Sequence, residues 1–339
     1  MYYSNTTQVG LQNCSEPALI PHADLRNPRE DFIAVTCVFN PRGFKRRYDL
    51  YRQFEKYVAN SGAQLMTVEV ALGDRPWKIT ERDNLWNVQL RTDWELWHKE
   101  SALNVGINRA LQINPAIKYI AWIDADVSFT RSDWPAATCE ALQHHKIIQM
   151  FGEFCDLDAN EHVQWRGKSF FRLYQELGFH YLRDNKRVAG HPGLAWAARR
   201  ETLDKMGGLL DFAVSGSADT HMTNALLGYR DAGDSLSTLE GRTTGFMQAL
   251  KCWADLADAH VKGDIGYLPG TIFHYWHGSS KKRGHRERWA AERFHKFDPY
   301  TDLVRDLSGL YRLTPGHEKL GDDIRRSLSQ RNEDGVDKL

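Results

Sequence analysis

An apolar run that ends in two closely spaced acids constrains this chain more than any other feature. Residues 118–123, KYIAWI, lead directly into Asp124 and Asp126. Such a run predicts a buried strand that carries both acids to the edge of a sheet. Side chains at i and i+2 of an extended strand point the same way, so both carboxylates can face one point. Hard oxygen ligands suit Mg²⁺ or Mn²⁺ carrying a diphosphate, whereas a helix-capping Asp pair is the simpler alternative.

The segments around this strand predict an α/β protein. Residues 32–39, FIAVTCVF, form a continuous apolar run that is typical of a parallel strand covered on both faces. A helix over 48–59 and a strand over 64–72 complete a βαβ unit. The best helix, 98–113, ends before Pro115 and feeds the acidic strand. Ligands of open α/β sheets bind outside the carboxyl ends of the strands, where these acids lie.

The remaining segments divide the chain into three parts. We expect an irregular arm over 1–30, a main domain over 31–278 and an extension over 279–339 that is basic and then helical. The last residues, from 327, are expected to fray. Within the main domain we expect irregular excursions over 156–185, strands at 147–151, 193–198 and 266–277, and a helix over 201–206.

Composition excludes several classes of protein. The formal net charge of the 339 residues is zero, so any affinity for nucleic acid must come from a local patch. The five cysteines are widely spaced without a Cys-x-x-Cys pair, which argues against zinc and a disulfide framework and favours a reducing compartment. The sequence has no apolar stretch of membrane-spanning length and no secretory signal pattern, so we expect a cytoplasmic protein with no membrane partner.

Three blocks of residues together resemble the GT-A fold of nucleotide-sugar-dependent glycosyltransferases, and most of all the β-1,4-galactosyltransferase family. The resemblance covers 32–278 and implies a mixed, mostly parallel sheet flanked by helices, with a helical C-terminal extension outside it. The blocks are VFNPR at 38–42, HKESALNVGIN at 98–108 with the Asp124-Ala-Asp126 strand, and GLAWAARRETLDKMGG at 193–208 followed by GSAD at 216–219.

The resemblance implies a metal site that uses Mn²⁺ or Mg²⁺. Asp126 is expected to ligate the metal, and Asp124 to contact the metal or the donor's ribose. The family's third ligand is a histidine on a late strand, for which this sequence offers both His274 and His277. His277 is slightly favoured because the adjacent Gly278 would let the backbone approach a diphosphate.

Asp219 is the expected catalytic base of an inverting transfer. A carboxylate there could take the proton of the acceptor hydroxyl while the metal stabilises the leaving diphosphate. The sequence departs from the family at Ala218, where the family has a second acid. Asp211 and His221 stay open as alternative bases, and a plain helix-capping Asp219 is the structural alternative.

The resemblance also implies binding residues on both sides of the site. The donor is expected to be a nucleotide sugar, with a UDP-sugar favoured. Residues 279–289 form a dense basic run that suits phosphate contacts. The expected donor contacts are Phe39, Arg42, Glu69, Lys99, Asn104 and Asp124, and the expected acceptor contacts are Gly193, Trp196, Trp276, Arg283 and Trp289.

The acceptor is expected to be a hydroxymethylpyrimidine in DNA. The blocks at 274–278, 297–302 and 331–334 resemble bacteriophage glycosyltransferases, some of which are associated with enzymes that oxidise thymine or methylcytosine in DNA. Such a protein would act in the host cytoplasm. Three alternatives remain: a glycosyltransferase acting on a saccharide, lipid or protein, a nucleotidyltransferase, and a non-catalytic DNA- or sugar-binding module.

Overall fold

The chain folds into thirteen strands and ten helices over the residues that its computed structural model describes, which are 29–184, 190–228, 240–279 and 285–335. The strands are β1 (Phe32–Phe39), β2 (Leu65–Leu72), β3 (Asn87–Thr92), β4 (Tyr119–Ile123), β5 (Val127–Phe129), β6 (Ile147–Gln149), β7 (Glu153–Leu157), β8 (Val163–Lys168), β9 (Ala195–Arg199), β10 (Ile265–Tyr267), β11 (Thr271–His274), β12 (Leu303–Arg305) and β13 (Tyr311–Leu313). The helices are α1 (Lys45–Asn60), α2 (Lys99–Ile113), α3 (Trp134–His144), α4 (Phe170–Asp184), α5 (Arg200–Lys205), α6 (Ala218–Leu226), α7 (Thr244–Val261), α8 (His285–Phe294), α9 (Pro299–Asp302) and α10 (Glu318–Ser329).

Seven strands form the central sheet, in the order β10-β6-β9-β4-β1-β2-β3. Neighbouring strands are parallel except where β9 runs antiparallel to β4 and β6. The predicted fold class, a mixed and mainly parallel α/β sheet flanked by helices, is therefore confirmed. The reversed direction of β9 has a local consequence, because its amino end lies at the same edge of the sheet as the carboxyl end of β4.

Burial on both faces explains the continuous apolar run of β1. Ile33 and Val35 enter the core that α2, α5, α6 and α7 form on one face of the sheet. Phe32 and Ala34 enter the core that α1 and α3 form on the other face. Successive side chains of a strand point to opposite faces, so a strand between two helix layers must be apolar at every position.

A second, four-stranded sheet has the order β5-β11-β7-β8 and positions the site. Its strand β11 pairs antiparallel with β5 and parallel with β7. In this register His274 lies opposite Val127 on one side and opposite Asp156 on the other. The last residue of β11 is thereby brought next to the acidic turn that follows β4.

Two segments contain regular elements that the sequence analysis did not predict. Residues 156–185, expected to make excursions over one face, contain the end of β7, the strand β8 and the helix α4. The polar composition of β8 is explained by its place at the edge of the smaller sheet, where residues 163–166 are exposed. The last sixty residues, expected to be helical, also include the antiparallel pair β12–β13.

The tail expected to fray from 327 is instead packed as far as the structure describes it, to residue 335. Ser327, Leu328, Arg331 and Glu333 are all buried. The extension shares a core with the main domain, where Leu96, Val214 and Phe246 meet a set of apolar residues that follow 290: Phe297, Leu303, Leu313, Leu320, Ile324 and Leu328. The polar composition of the tail reflects ion pairs, and these are described below.

No helix within the four described ranges combines the length and the apolar character that crossing a membrane would require. The arm at 1–28 and the basic residues at 280–284 lie outside those ranges.

Candidate metal centre and catalytic site

Asp126, His274 and His277 meet at the edge of the sheet formed by the carboxyl end of β4. One ligand atom from each residue lies within 4.8 Å of the other two. His277 Nε2 is 3.2 Å from Asp126 Oδ2, and the Nε2 atoms of the two histidines are 3.2 Å apart. The sequence left open which histidine accompanies Asp126, and the structure brings both imidazoles to it.

Each imidazole has a carboxylate beside its other ring nitrogen. His274 Nδ1 is 2.7 Å from Asp156 Oδ1, and His277 Nδ1 is 3.8 Å from Glu333 Oε2. The contact with Asp156 is a hydrogen bond, which favours the His274 tautomer with its proton on Nδ1 and the lone pair of Nε2 facing the other ligands. The separation at His277 is too long for a hydrogen bond, so Glu333 can act there only through its charge. Carboxylate–imidazole pairs of this kind orient histidine ligands around metal ions.

The residues present fit a divalent cation. Asp126 Oδ1 is buried and accepts no hydrogen bond from any residue within the described ranges. A buried carboxylate oxygen without a donor is costly unless a cation or a proton occupies the space beside it. Carboxylate oxygen and imidazole nitrogen are both common metal ligands, so these three residues could hold such an ion.

Asp124 lies next to this group but pairs with Lys99, whose ammonium forms an ion pair with Asp124 Oδ1. Burial disfavours the charge on Lys99, but Asp124, Glu100 and Asp219 outweigh burial and raise the pKa of the ammonium. Lys99 is therefore charged at neutral pH. Burial also raises the pKa of the Glu100 carboxyl to about 8, against the pull of Lys99 and with the help of Asp219.

Asp219 lies in the first turn of α6, against Gly193. The Thr220 amide donates a 2.8 Å hydrogen bond to Asp219 Oδ1, so one carboxylate oxygen is held at the amino end of the helix. The other oxygen, Oδ2, occupies the space that a Cβ at Gly193 would need. Asp219 is not the N-cap residue of α6, because that position is Ser217. Gly193 is therefore required for the approach of the carboxylate to the sheet edge.

His191 connects the two halves of the site. Its Nδ1 accepts a 3.1 Å hydrogen bond from the Gly193 amide. Burial lowers the pKa of His191 to about 4, while the charges of Asp156, Asp219 and Asp124 act in the opposite direction. The imidazole is thus neutral at physiological pH. It interacts electrostatically with Asp156, which contacts His274, and with Asp219.

The two alternative bases are engaged elsewhere. The Asp211 carboxylate accepts hydrogen bonds from Asn104, Arg305 and Tyr311, at 2.9–3.1 Å. His221 is fully buried, and burial with the nearby positive charge of Arg242 lowers its pKa to about 3. Asp219 differs from both, because its carboxylate lies against Gly193 and interacts electrostatically with Lys99, the partner of Asp124.

Two expected donor contacts hold loops. Glu69 is 3% exposed and accepts hydrogen bonds from the amides of Lys78, Ile79 and Thr80 and from the Thr80 hydroxyl, at 2.6–3.1 Å. Three of these bonds go to Oε2 and one to Oε1, and Glu69 also lines the depression at the ends of β1 and β2. Asn104 binds the backbone N–H and C=O of Leu209, so it anchors the turn after α5.

Arg42 and Phe39 lie near the carboxyl end of β1, as expected for donor contacts. The Arg42 guanidinium forms an ion pair with Glu95, and Phe39 packs edge-on against His98 with the ring centroids 5.1 Å apart. A cavity of about 240 Å³ lies nearby, at the ends of β2 and β3, and a smaller depression lies between the ends of β1 and β2. Neither cavity is lined by the three converging ligands.

The residues expected to bind the acceptor are dispersed. Trp196 is 2% exposed and packs between Trp122 and Phe171, so its ring has no face for a base. Trp289 is also buried, and its Nε1 donates to Ser217 Oγ at 2.7 Å. Trp276 is half-buried beside His277. Arg283 lies outside the described residues.

Sequence reasoning missed Asp156, His191 and Glu333. Asp156 follows two apolar residues of a short strand, and Glu333 lies in a charged tail, so neither has a local pattern that marks it. His191 precedes the Pro192-Gly193 turn, whose resemblance to a glycosyltransferase block was the one available signal. All three come from elements that are distant in sequence and converge only through the pairing of β7 with β11 and the packing of the tail.

No protein-family model and no curated protein sequence matches the chain. Among solved structures, it is similar to a glycosyltransferase involved in the glycosylation of the major capsid of PBCV-1 (10% identity, 72% of this chain and 92% of that one, TM-score 0.29). It is also similar to a mutant of Drosophila β-1,4-galactosyltransferase 7 in complex with manganese, UDP-Gal and xylobiose (13%, 57% and 59%, 0.27). A third is a putative nucleotide-diphospho-sugar transferase from Desulfovibrio desulfuricans G20 (10%, 90% and 98%, 0.29). These similarities are too low for the function of this chain to be inferred from them.

Proposed function

We propose that this protein is a metal-dependent glycosyltransferase that moves a sugar from a nucleotide-sugar donor to a hydroxyl group. The observation that carries the proposal is the convergence of Asp126, His274 and His277 at the strand-end edge of an α/β sheet. Ligands of open α/β sheets bind at this edge, and a cation there can hold a diphosphate. The sequence blocks that resemble β-1,4-galactosyltransferases supply the reaction type.

Mn²⁺ is the cation that we propose for this site. Mg²⁺ prefers all-oxygen octahedral sites and binds imidazole poorly. Two imidazoles and one carboxylate give a softer set of ligands, which suits Mn²⁺ better than Mg²⁺. When bound, the cation would neutralise the charge that develops on the leaving diphosphate.

Asp219 is the proposed base of an inverting transfer. Its Oδ1 is fixed by the Thr220 amide, which leaves Oδ2 to take the proton of the acceptor hydroxyl. The hydroxyl oxygen then forms a bond to the anomeric carbon, and the bond between that carbon and the diphosphate breaks. The positive charge of Lys99, which pairs with Asp124 and interacts electrostatically with Asp219, would help to retain the diphosphate.

The donor's nucleoside is proposed to lie at the ends of β1 and β2. The small depression there is lined by Asn40, Tyr48 and Arg75 among other residues. Tyr48 offers a half-buried aromatic ring and Arg75 a guanidinium, which suit a base and a phosphate. A UDP-sugar stays the preferred donor because of the family resemblance, and Glu69, which also lines this depression, stays a proposed contact to its base.

DNA carrying a hydroxymethylpyrimidine stays our proposed acceptor, on the strength of the basic run at 279–289 and the resemblance to bacteriophage enzymes. The burial of Trp196 and Trp289 removes two of the three rings that were expected to hold a flipped base. A saccharide, lipid or protein hydroxyl is the alternative acceptor, and the same assay separates the two.

The test is to incubate the protein with Mn²⁺, a pool of nucleotide sugars and a panel of acceptors that contains hydroxymethylcytosine DNA, hydroxymethyluracil DNA and oligosaccharides. Mass spectrometry should find a sugar-sized gain on one acceptor together with release of a nucleoside diphosphate, and EDTA should abolish both. Asp126→Asn should lose transfer. Asp133→Asn should keep it, because Asp133 is an exposed acid that pairs with Arg131.

Each outcome decides between the candidate functions. A gain on a saccharide alone would overturn the DNA acceptor and retain the glycosyltransferase. Release of pyrophosphate instead of a nucleoside diphosphate would identify a nucleotidyltransferase. Binding of donor without turnover, in wild type and Asp126→Asn alike, would indicate a binding module and contradict the proposal.

A further inference from the structure

The last described residues, 331–334, form a segment that we name the C-terminal clasp, and it packs against the turn that carries His277. Gly278 has a φ of +90°, and a Cβ on it would come within 3.0 Å of Arg331 O and 3.1 Å of Glu333 Cα. The glycine that follows His277 is therefore needed to admit the clasp backbone. This differs from the expectation that Gly278 makes room for a diphosphate.

Glu333 is the centre of the clasp. It is 1% exposed, and its carboxylate pairs with two guanidinium groups. Arg47 Nη2 donates to Oε1 at 2.9 Å, and Arg331 Nε is 2.7 Å from the same oxygen. The other oxygen, Oε2, also pairs with Arg47 and lies 3.8 Å from His277 Nδ1. Two guanidinium groups therefore pair with one buried carboxylate and hold the clasp in place.

A second anchor ties the clasp to α1. The amides of Lys45 and Arg46, in the first turn of α1, donate to the two oxygens of Asp334 at 3.0 and 2.8 Å. The N-cap residue of α1, Phe44, has no side-chain hydrogen bond of its own, so Asp334 supplies the cap from the other end of the chain. The clasp thus joins the start of α1 to the His277 turn.

We propose that Glu333 is a positioning residue for His277, and that the clasp is an integral part of the metal site. The Glu333 carboxylate lies 3.8 Å from His277 Nδ1, too far for a hydrogen bond, so it acts through its negative charge, which favours the tautomer with the proton on Nδ1 and the lone pair of Nε2 directed at Asp126. Asp156 is closer to His274, with its Oδ1 2.7 Å from Nδ1. The inference rests on the proposed metal site but not on the identity of the donor or the acceptor.

Thermodynamic linkage follows from this arrangement. If the docked clasp strengthens metal binding, then bound metal must stabilise the docked clasp by the same free energy. The amides of 331–335 should therefore exchange more slowly when Mn²⁺ is bound. This effect distinguishes a positioning role from a merely structural one, which would leave amide exchange in the clasp insensitive to metal.

The experiment measures Mn²⁺ affinity by calorimetry on the full-length protein, without donor or acceptor, and measures hydrogen exchange of 331–335 with and without Mn²⁺. Glu333→Gln removes the charge and should weaken Mn²⁺ binding about 10- to 100-fold. Glu333→Asp keeps the charge and should recover part of the loss. Asp133→Asn is the matched control, because Asp133 is an exposed acid that pairs with Arg131 and is not part of the clasp, and it should change Mn²⁺ affinity less than about threefold.

The outcomes separate this proposal from the function. Wild-type affinity in Glu333→Gln, or clasp exchange that ignores Mn²⁺, would overturn the role of the clasp and leave the metal site standing. A wild-type protein that binds no Mn²⁺ would overturn both. Should Glu333→Gln fail to fold, as judged by circular dichroism in EDTA, Glu333→Asp and the exchange measurement on wild type decide the question alone.

Discussion

Replacement of Gly193 by alanine should disable Asp219 without touching it. A Cβ at Gly193 would overlap with Asp219 Oδ2, and the carboxylate cannot simply rotate away because Oδ1 is held by the Thr220 amide. Restoring van der Waals separation requires a shift of roughly 1 Å. Misplacement of a catalytic group by that distance can lower the rate about 100-fold, so we expect a loss of that size in kcat.

The assay is steady-state transfer with calorimetric measurement of Mn²⁺ and donor binding, both of which should be unchanged in Gly193→Ala. The control is Gly106→Ala, whose Cβ would meet Val68 Cγ2 at 2.6 Å in the core, so it strains the packing without displacing Asp219. The double variant Gly193→Ala/Asp219→Asn should be no slower than Asp219→Asn, since both changes remove one function. A folded Gly193→Ala protein with wild-type kcat would refute the assignment of Asp219 as the base.

Three further predictions concern groups around the site. Asp156→Ala should weaken Mn²⁺ binding about 10- to 100-fold, because His274 loses the carboxylate that orients it, and Asp156→Asn should give an affinity between those of wild type and Asp156→Ala. An unchanged Mn²⁺ affinity in calorimetry would contradict the role of the Asp156–His274 pair. Glu69→Gln should lower the free energy of unfolding by about 2 kcal/mol, because an amide cannot accept all four hydrogen bonds that residues 78–80 donate to the carboxylate. Urea titration measures this loss, and the Mn²⁺ affinity should stay unchanged as the control. Burial lowers the pKa of His98 to about 4 from its ordinary 6.5. Between these two pH values the unfolded chain binds a proton at His98 that the folded chain does not bind. The free energy of unfolding therefore falls as the pH drops from 6.5 to 4, by about 3 kcal/mol in all. His98→Gln should flatten the stability profile there, and an unchanged slope would show that His98 does not cause it.

The strands β1 and β4 and the helix α2 could be predicted from the sequence, because each has a local apolar pattern. The apolar runs of β1 and β4 reflect burial of nearly every residue on both faces, and the stripe of α2 reflects burial of one helix face, so local patterns reveal them. The strand β8 was missed because an edge strand with exposed residues 163–166 lacks an apolar run. The tail was missed for a related reason: Arg331 and Glu333 are buried as ion-paired partners, and sequence patterns equate charge with exposure.

The site was predictable only where its residues are adjacent in sequence. Asp124 and Asp126 share one turn, and His274 and His277 share another, so each pair was visible as a motif. The meeting of both histidines with Asp126 depends on the pairing of β11 with β5, and the sequence does not encode that register locally. At Glu69 the local pattern was not sufficient. An acid near a strand end suggested a contact to the donor, whereas the structure shows that its carboxylate also holds the loop at 78–80 through hydrogen bonds.

The departure at Ala218 follows from its place in the core. Ala218 is fully buried in the core formed with α2 and α7, where a carboxylate would have to give up water for apolar neighbours. A second acid nevertheless interacts with Asp219, because burial and the negative charge of Asp219 both raise the pKa of Glu100, on α2, to about 8. A carboxyl group with this pKa is mostly protonated at neutral pH. Glu100 therefore adds little negative charge to the surroundings of the carboxylate that we propose as the base.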